Sequence, residues 1–342
     1  MMTPFCYFVG LDVHRKSISY CVKRPDGSIV REGRIEAQRP ALDSWALGLK
    51  EPWCGGLEAT ICSHWIYEHL KPYAACLQMA APAKLKAIAA AKRKNDRLDA
   101  RVLADLLRCD MFPSCYVAPA EYQLLRRQLR ERAFLVRTEV MFKNKIAGLL
   151  IESGVPYETR LLHGKRYFAE LLQERAALID EIRPLLAFNR TQVEGLREMD
   201  RLIVKQLLQH PLLRERGARL QIIDGVGEIT SLTWAVETGQ PERFPNEAHA
   251  ISYCGLCAAQ CESAGVQKRG PISKQRNRFL QTTLIEAAHF AVQHNQQLRA
   301  VYEAAQQKGH RQRAILEVAR RLVRYLLAVD RQYFAAASMA AA

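Results

Sequence analysis

The feature that most constrains this chain is the run Phe5-Cys6-Tyr7-Phe8-Val9-Gly10-Leu11-Asp12-Val13, apolar almost throughout and broken near its end by one carboxylate. A continuous apolar stretch this short reads as a strand buried on both faces at the centre of a sheet, which demands a layer on each side of it. Ser17 to Lys23 alternates as a second strand, Pro25-Asp26-Gly27 has turn chemistry, and Ser28 to Ile35 makes a third, so the chain opens as a β-meander. A helix is expected around Ala41 to Leu49, then a strand over Cys54 to Thr60 with Glu58 near its C-terminal end. Strands followed by alternating helix and strand predict a mixed α/β sheet with helices on its faces.

Between Ala83 and Arg108 the sequence turns helical and strongly basic, with Lys92, Arg93 and Lys94 leading into Asn95-Asp96-Arg97-Leu98-Asp99-Ala100. Leu98, Val102, Leu103, Leu106 and Leu107 recur at helical spacing, which puts Asp96 and Asp99 on one face beside that apolar stripe. Pro113 and Pro119 mark a break. Two helix-rich stretches follow, Glu121 to Glu152 and Tyr167 to Gln209, the second interrupted at Pro184. Leu124, Leu125, Leu129, Leu135, Phe142, Ile146 and Leu149 form the first apolar face; Leu171, Leu178, Ile182, Val193, Leu196, Ile203 and Leu207 form the second. Two long helices joined by a loop predict a coiled-coil arm, either folded back within the chain or paired with a second copy. A last, helical region opens at Ile222-Ile223-Asp224-Gly225-Val226-Gly227-Glu228, with helices expected over Thr230 to Glu237, through Phe244 to Gly255, and after Arg276 and Arg311. The tail from Ala335 is expected to fray.

Charge narrows the partners. Lys plus Arg number 50 against 35 Asp plus Glu, a net +15 over 342 residues, which suits a surface facing a polyanion. No signal-peptide pattern and no apolar run of membrane-spanning length stands in the sequence, so a cytoplasmic protein with no membrane partner is expected. The ten cysteines lack a disulfide rhythm and read as buried thiols. Cys254 and Cys257, with Cys261, have zinc-like spacing but no second pair to complete a site.

Phosphoryl transfer needs a divalent cation held by hard oxygen ligands. Asp12 on a central strand, Glu58 at the end of another, and Asp96 with Asp99 on a helix are placed to converge from three elements. Read singly, an Asp ending a strand is a turn former, and Asp96 with Asp99 is an N-cap with a first-turn acid. The Gly225 and Gly227 pair is either a plain tight turn or a helix-hairpin-helix turn whose N–H groups meet phosphate. Ser263, in a loop of small residues ahead of Lys268, Arg269, Lys274 and Arg276, is either a solvated capping serine or a nucleophile beside cations that offset charge on a phosphate.

Taken in order, Gly10-Leu11-Asp12-Val13, Leu57-Glu58-Ala59-Thr60, Lys94-Asn95-Asp96-Arg97-Leu98-Asp99-Ala100, Gly225-Val226-Gly227, Tyr253-Cys254-Gly255-Leu256, Glu262-Ser263 and Ile272-Ser273-Lys274 resemble the "one-ten" family of insertion-sequence DEDD transposases. Ala264 and Arg276 stand where that family usually has glycine. The resemblance implies a RuvC-like domain of RNase H fold over residues 1–112 and a helical coiled-coil arm over 113–215. It also implies a mainly helical transposase domain over 216–334 and a disordered tail over 335–342. It implies Asp12, Glu58, Asp96 and Asp99 as ligands of Mg²⁺ or Mn²⁺, and Ser263 as a nucleophile forming a 5′-phosphoserine link. Backbone contacts would come from Lys92, Arg93, Lys94, Gly225, Gly227, Lys268, Arg269, Lys274 and Arg276. The implied partners are donor and target DNA, a noncoding bridge RNA, and further copies of the chain as a homodimer or tetramer on DNA, at the bacterial nucleoid. Two rival readings fit the same residues: a RuvC-like junction endonuclease using metal-activated water, and a non-enzymatic basic nucleic-acid-binding protein.

Overall fold

The computed structural model describes residues 5–88, 96–263 and 266–341, and within these only the backbone of 96–97, 259–263, 266–269, 338, 340 and 341. The chain divides near residue 120 into two compact units.

In the first unit the expected meander forms β1 (Tyr7–Val13), β2 (Ser17–Lys23) and β3 (Ile29–Glu36), followed by α1 (Arg39–Leu47), β4 (Trp53–Glu58) and α2 (Ser63–Leu70). Then come β5 (Cys76–Ala80), α3 (Pro82–Ile88) and α4 (Asp96–Arg108). The five strands order as β3-β2-β1-β4-β5, antiparallel on the meander side and parallel where β4 joins β1 and β5 joins β4. β1 is therefore central, as its apolar run demands. Side chains alternate across it. Val9, Leu11 and Val13 pack with Leu42 and Trp45 of α1 and Ile66 and Leu70 of α2, all buried. Each such side chain removed from water contributes about 1.5–3 kcal/mol.

The opposite face of β1 is closed by α4. A Cβ added to Gly10 would stand 1.9 Å from the Ala100 carbonyl oxygen and 2.7 Å from the Ala104 nitrogen, so helix and strand backbones touch there. Phe8 and Cys54 meet Leu107 on the same face. Leu103, Leu106 and Leu107 bury as the helical spacing predicts, whereas Leu98 is 42% exposed: one turn from the helix start it has passed the edge of the packed face. Two ion pairs fix how far α4 slides along the sheet, Arg101 donating at 2.7 and 2.8 Å to Glu32 on β3, and Lys23 on β2 meeting Asp105.

In the second unit the two stretches expected as long helices hold α5 (Ala120–Glu152) and α8 (Arg183–Gln209), with α6 (Lys165–Glu174) and α7 (Ala176–Ile179) between them. They run antiparallel within the chain. Arg132 stands 2.9 Å from Asp200, Arg197 donates to Glu139 at 2.7 Å, and the Phe142 and Phe188 rings lie 6.4 Å apart. Ile146, Leu149, Phe168, Leu171, Ile179, Leu186 and Val193 form their shared core. Leu124 and Leu178, placed on the apolar faces by spacing alone, are 57% and 53% exposed; an imperfect heptad lets single positions rotate out of the seam.

The chain continues through α9 (Pro211–Leu220), α10 (Glu228–Thr238), α11 (Glu247–Tyr253), the hairpin β6 (Ala258–Ser263) and β7 (Val266–Ile272), α12 (Arg278–His294), α13 (Gln296–Gln306) and α14 (Arg311–Ala341). Helix α10 is buried from Thr230 to Thr238. Arg216 of α9 donates both Nε and Nη2 to Asp330 of α14, at 2.7 and 2.6 Å, and Trp234 Nε1 of α10 donates to the same carboxylate at 2.9 Å. Three features differ from expectation. The segment holding Ser263 is a strand pair and not a loop, because Ala264-Gly265 separates two short runs closely enough for a hairpin. Helix α13 stands where no separate helix was expected. Finally, α14 continues through Ala341 instead of fraying from Ala335, its last turns being rich in alanine, the strongest helix former.

Candidate active site

The parallel pairing of β1 with β4 sets Gly10 opposite Gly56 and Leu11 opposite Leu57. One register step further puts Asp12 beside Glu58, at the C-terminal ends of neighbouring strands. By the same alternation that turns Gly10 and Gly56 toward α4, both acids project to the α4 side. Helix α4 runs against β1, since its Ala100 to Ala104 segment lies over Gly10 and its later Leu107 lies at Phe8. Its first turn, which begins at Asp96 and includes Asp99, therefore overhangs the strand ends where Asp12 and Glu58 stand. The two glycines make this possible, because a Cβ at either would collide with the covering layer, at Gly56 with the Phe112 ring at 2.5 Å.

Local chemistry supports the arrangement. His14 Nε2 lies 3.0 Å from Asp12 Oδ2, and the Asp12 side chain is only 13% exposed. Beyond Glu58, the Ser63 hydroxyl donates to the Glu58 carbonyl and accepts from the Thr60 amide at 3.1 Å, closing the turn that starts α2. Asp99 is half-buried. Among the described residues no group of three or more His, Cys, Asp or Glu side chains is drawn together closely enough to hold a metal ion, and the Asp96 side chain lies outside them. The donor set nevertheless has the right chemistry for a hard divalent cation, carboxylate oxygens from three elements with no sulfur among them. The Cys254 thiol is buried, and burial pushes its pKa far above the ordinary 9.0.

In the second unit Ser263 is the last residue of β6, paired with Val266 across the hairpin end; its side chain, with those of Lys268 and Arg269, lies outside the described residues. Lys92, Arg93 and Lys94 lie outside them entirely. Lys274 and Arg276 are exposed on the turn between β7 and α12, where Gly255, at φ +72°, packs against the Arg276 side chain. Gly225 and Gly227 separate α9 from α10. Gly225, at φ +98°, packs on Ala291, where a Cβ would come within 2.5 Å, so close packing accounts for this glycine. Gly227 begins α10 with open space beside it.

The residues that sequence reasoning missed are His14, beside Asp12, and Glu237, a fully buried carboxylate near the end of α10. Arg130 donates to it from Nε and Nη2 at 3.1 Å each, and Asn277 Nδ2 donates at 2.8 Å. The only sequence signal was an acid closing the run Leu232-Thr233-Trp234-Ala235-Val236.

Two family models match this chain. One, a DEDD model of the IS110 type described as "Transposase", spans residues 9–153; the other, described as "Transposase IS116/IS110/IS902 family", spans 217–303. The chain is similar to a "Probable family 20 transposase" of Pseudomonas aeruginosa, 26% identical over 249 residues, covering 70% of this chain and 72% of that protein. It is also similar to the "Transposase for insertion sequence element IS1111A" of Coxiella burnetii, 26% identical over 295 residues, covering 84% and 78%. With two models of one family falling in order along it, the chain belongs to the IS116/IS110/IS902 family of insertion-sequence transposases, enzymes that act on DNA.

Proposed function

We propose that this transposase cuts and rejoins DNA with two separated sets of residues: an acidic set, Asp12, Glu58, Asp96 and Asp99, on a RuvC-like RNase H fold, and a nucleophile, Ser263, on the β6–β7 hairpin. The observation that carries the reading is the placing of Asp12 and Glu58 at adjacent parallel strand ends beneath the first turn of α4. The strand order β3-β2-β1-β4-β5 suits that fold. The acids would hold Mg²⁺, or Mn²⁺, which when bound neutralises a scissile phosphate. Ser263 Oγ forms a bond to phosphorus while the bond from phosphorus to the 3′-oxygen breaks. The serine proton ends on that oxygen, leaving a free 3′-hydroxyl and a 5′-phosphoserine. Reversal with an exchanged strand rejoins DNA without hydrolysis.

On this reading residues 113–215 are a coiled-coil arm and 216–334 the transposase domain. Copies of the chain assemble as a dimer or tetramer on donor and target DNA. A bridge RNA selects sequence by pairing while cations such as Lys274 and Arg276 hold backbone.

Incubating the full chain with DNA spanning an element junction, then denaturing, tests the chemistry. The wild type is expected to leave protein covalently on DNA, Ser263→Ala to leave none, and Asp12→Ala to lose metal-dependent cleavage. Adducts that persist in Ser263→Ala exclude that nucleophile, and cleavage without any adduct in the wild type points to attack by water instead.

A further inference from the structure

We infer that the surface at the foot of the β6–β7 hairpin is a binding site for the DNA phosphodiester backbone, built from Arg130 of α5 and Arg278 of α12 with Lys274 and Arg276, and held in place by the buried carboxylate of Glu237. The inference rests on the hairpin bearing the nucleophile.

The hairpin leaves the helical body after Tyr253 and returns at Asn277, and both feet are tied to Glu237. The Tyr253 hydroxyl donates to the Glu237 carbonyl at 2.9 Å, Asn277 Nδ2 donates to its carboxylate at 2.8 Å, and the Asn277 amide donates to the Tyr253 carbonyl at 3.0 Å. Asn277 in turn caps α12, accepting from Phe279 and Leu280 at 3.1 and 3.2 Å. Arg126 also reaches Glu237, its Nε 3.6 Å from the carboxylate and its Nη2 donating to the backbone carbonyl at 2.7 Å. Two arginines thus meet one carboxylate. A buried charge network of this kind costs desolvation and is better explained by what it positions than by what it stabilises.

What it positions is Arg130. Its Nε and Nη2 are taken by Glu237, its side chain remains 48% exposed, and its guanidinium carbon stands 5.1 Å from the centre of the Phe279 ring. Arg278 meets the same ring at 5.1 Å. Phe279 thus gathers two guanidinium groups, and the turn that leads into α12 carries exposed Lys274 and Arg276. Holding several like charges together with little freedom left makes sense for an anion with repeated charges, because the ordering cost is met before binding. The length of the hairpin is compatible with duplex DNA. Strand β7 of 7 residues spans roughly 23 Å, or roughly six or seven base pairs of helix axis, so one duplex can lie on the foot and still reach the tip.

Binding of the full-length protein to a random-sequence DNA duplex, and separately to an RNA hairpin, is followed by fluorescence anisotropy over a salt series in chelator. Against wild type, R130Q/R278Q is expected to lower the slope of log affinity against log salt by about 2 for DNA, one for each phosphate that is no longer neutralised. R166Q, which removes an exposed arginine paired with Glu170 elsewhere in the same unit, should leave that slope unchanged. R130Q/E237Q, which removes the stranded carboxylate along with its partner, and R278Q alone are each expected to lower it by about 1, which separates the removal of a phosphate-binding cation from misfolding. An unchanged slope in R130Q/R278Q, an equal loss in R166Q, or a loss confined to RNA overturns the site. Because binding needs no nucleophile, S263A should keep the wild-type slope. If the slopes behave as stated while S263A still forms adducts, the backbone site stands and the assignment of Ser263 fails.

Discussion

Asp12 and Glu58 stand side by side one register step beyond Leu11 and Leu57, the last paired residues of two parallel strands. Carboxylates on neighbouring strand ends repel one another, and a cation held between them offsets that repulsion. Asp12→Asn and Glu58→Gln, which keep shape and remove charge, should each lower DNA cleavage on the order of a thousandfold, equivalent to about 4 kcal/mol of transition-state stabilisation. Melting temperature should hold or rise. Single-turnover cleavage and thermal unfolding of the same preparations check both halves of the expectation.

The contact of Gly10 with α4 makes a sharper test of how the acids are brought together. Gly10→Ala sets a Cβ against the Ala100 carbonyl and the Ala104 nitrogen, both backbone, so α4 itself has to move. A cost of about 1–3 kcal/mol is expected, with loss of cleavage beyond what instability explains, since Asp99 moves with the helix. Gly148→Ala, in the interior of α5 with open space around it, should instead stabilise by about 0.5–1 kcal/mol. Urea unfolding with cleavage assays at matched folded fraction separates the two.

In the second unit, Arg216 and Asp330 form a bidentate pair that water does not reach. Asp330→Asn leaves the guanidinium uncompensated in the interior and also weakens the bond from Trp234. The expected cost is about 3–5 kcal/mol in urea unfolding. Replacing both partners with apolar residues of like volume should recover most of it. An Asp330→Asn protein as stable as wild type would mean the pair contributes little.

Acid should weaken the helical arm in two stages. Burial, then the nearby charges of Lys143, Arg197 and Arg190, hold the His163 pKa below its ordinary 6.5. The unfolded chain then takes up a proton first as pH falls, so the stability His163 lends is whole above 6.5 and is lost as pH drops through the depressed value. For Glu139, burial resists ionisation, but bonds from Lys143 and Arg197 outweigh it and set the pKa below 4.5. Its contribution is whole above 4.5 and disappears at lower pH. Melting temperature against pH, read by helical ellipticity, should show both declines, and His163→Gln should remove the first alone.

Much of the first unit was legible because burial leaves a simple imprint on a strand. The apolar run before Asp12 required a central position, and the alternation of Ser17 to Lys23 gave β2 to the residue. Strand β5 and helix α2 leave weaker patterns, Cys76 to Ala80 being short and only partly buried, and neither stands out from its neighbours in sequence. The Ser263 hairpin is hidden for a different reason. Small, charged and apolar residues follow one another there without regular alternation, so the sequence offers no period to detect.

Sequence by itself determined which residues could do chemistry, because carboxylates, a serine and clustered cations are recognisable wherever they fall, and determined that a buried strand would carry the first of them. Which of these meet was decided by tertiary structure. Register between β1 and β4, set by hydrogen bonds between two parallel segments far apart in the chain, put Glu58 next to Asp12. Glu237 gives the converse case. An acid in an apolar run has no visible role until Arg130 from α5 and Asn277 from the start of α12 are folded against it, since the interaction that makes its burial tolerable exists only between distant parts of the chain.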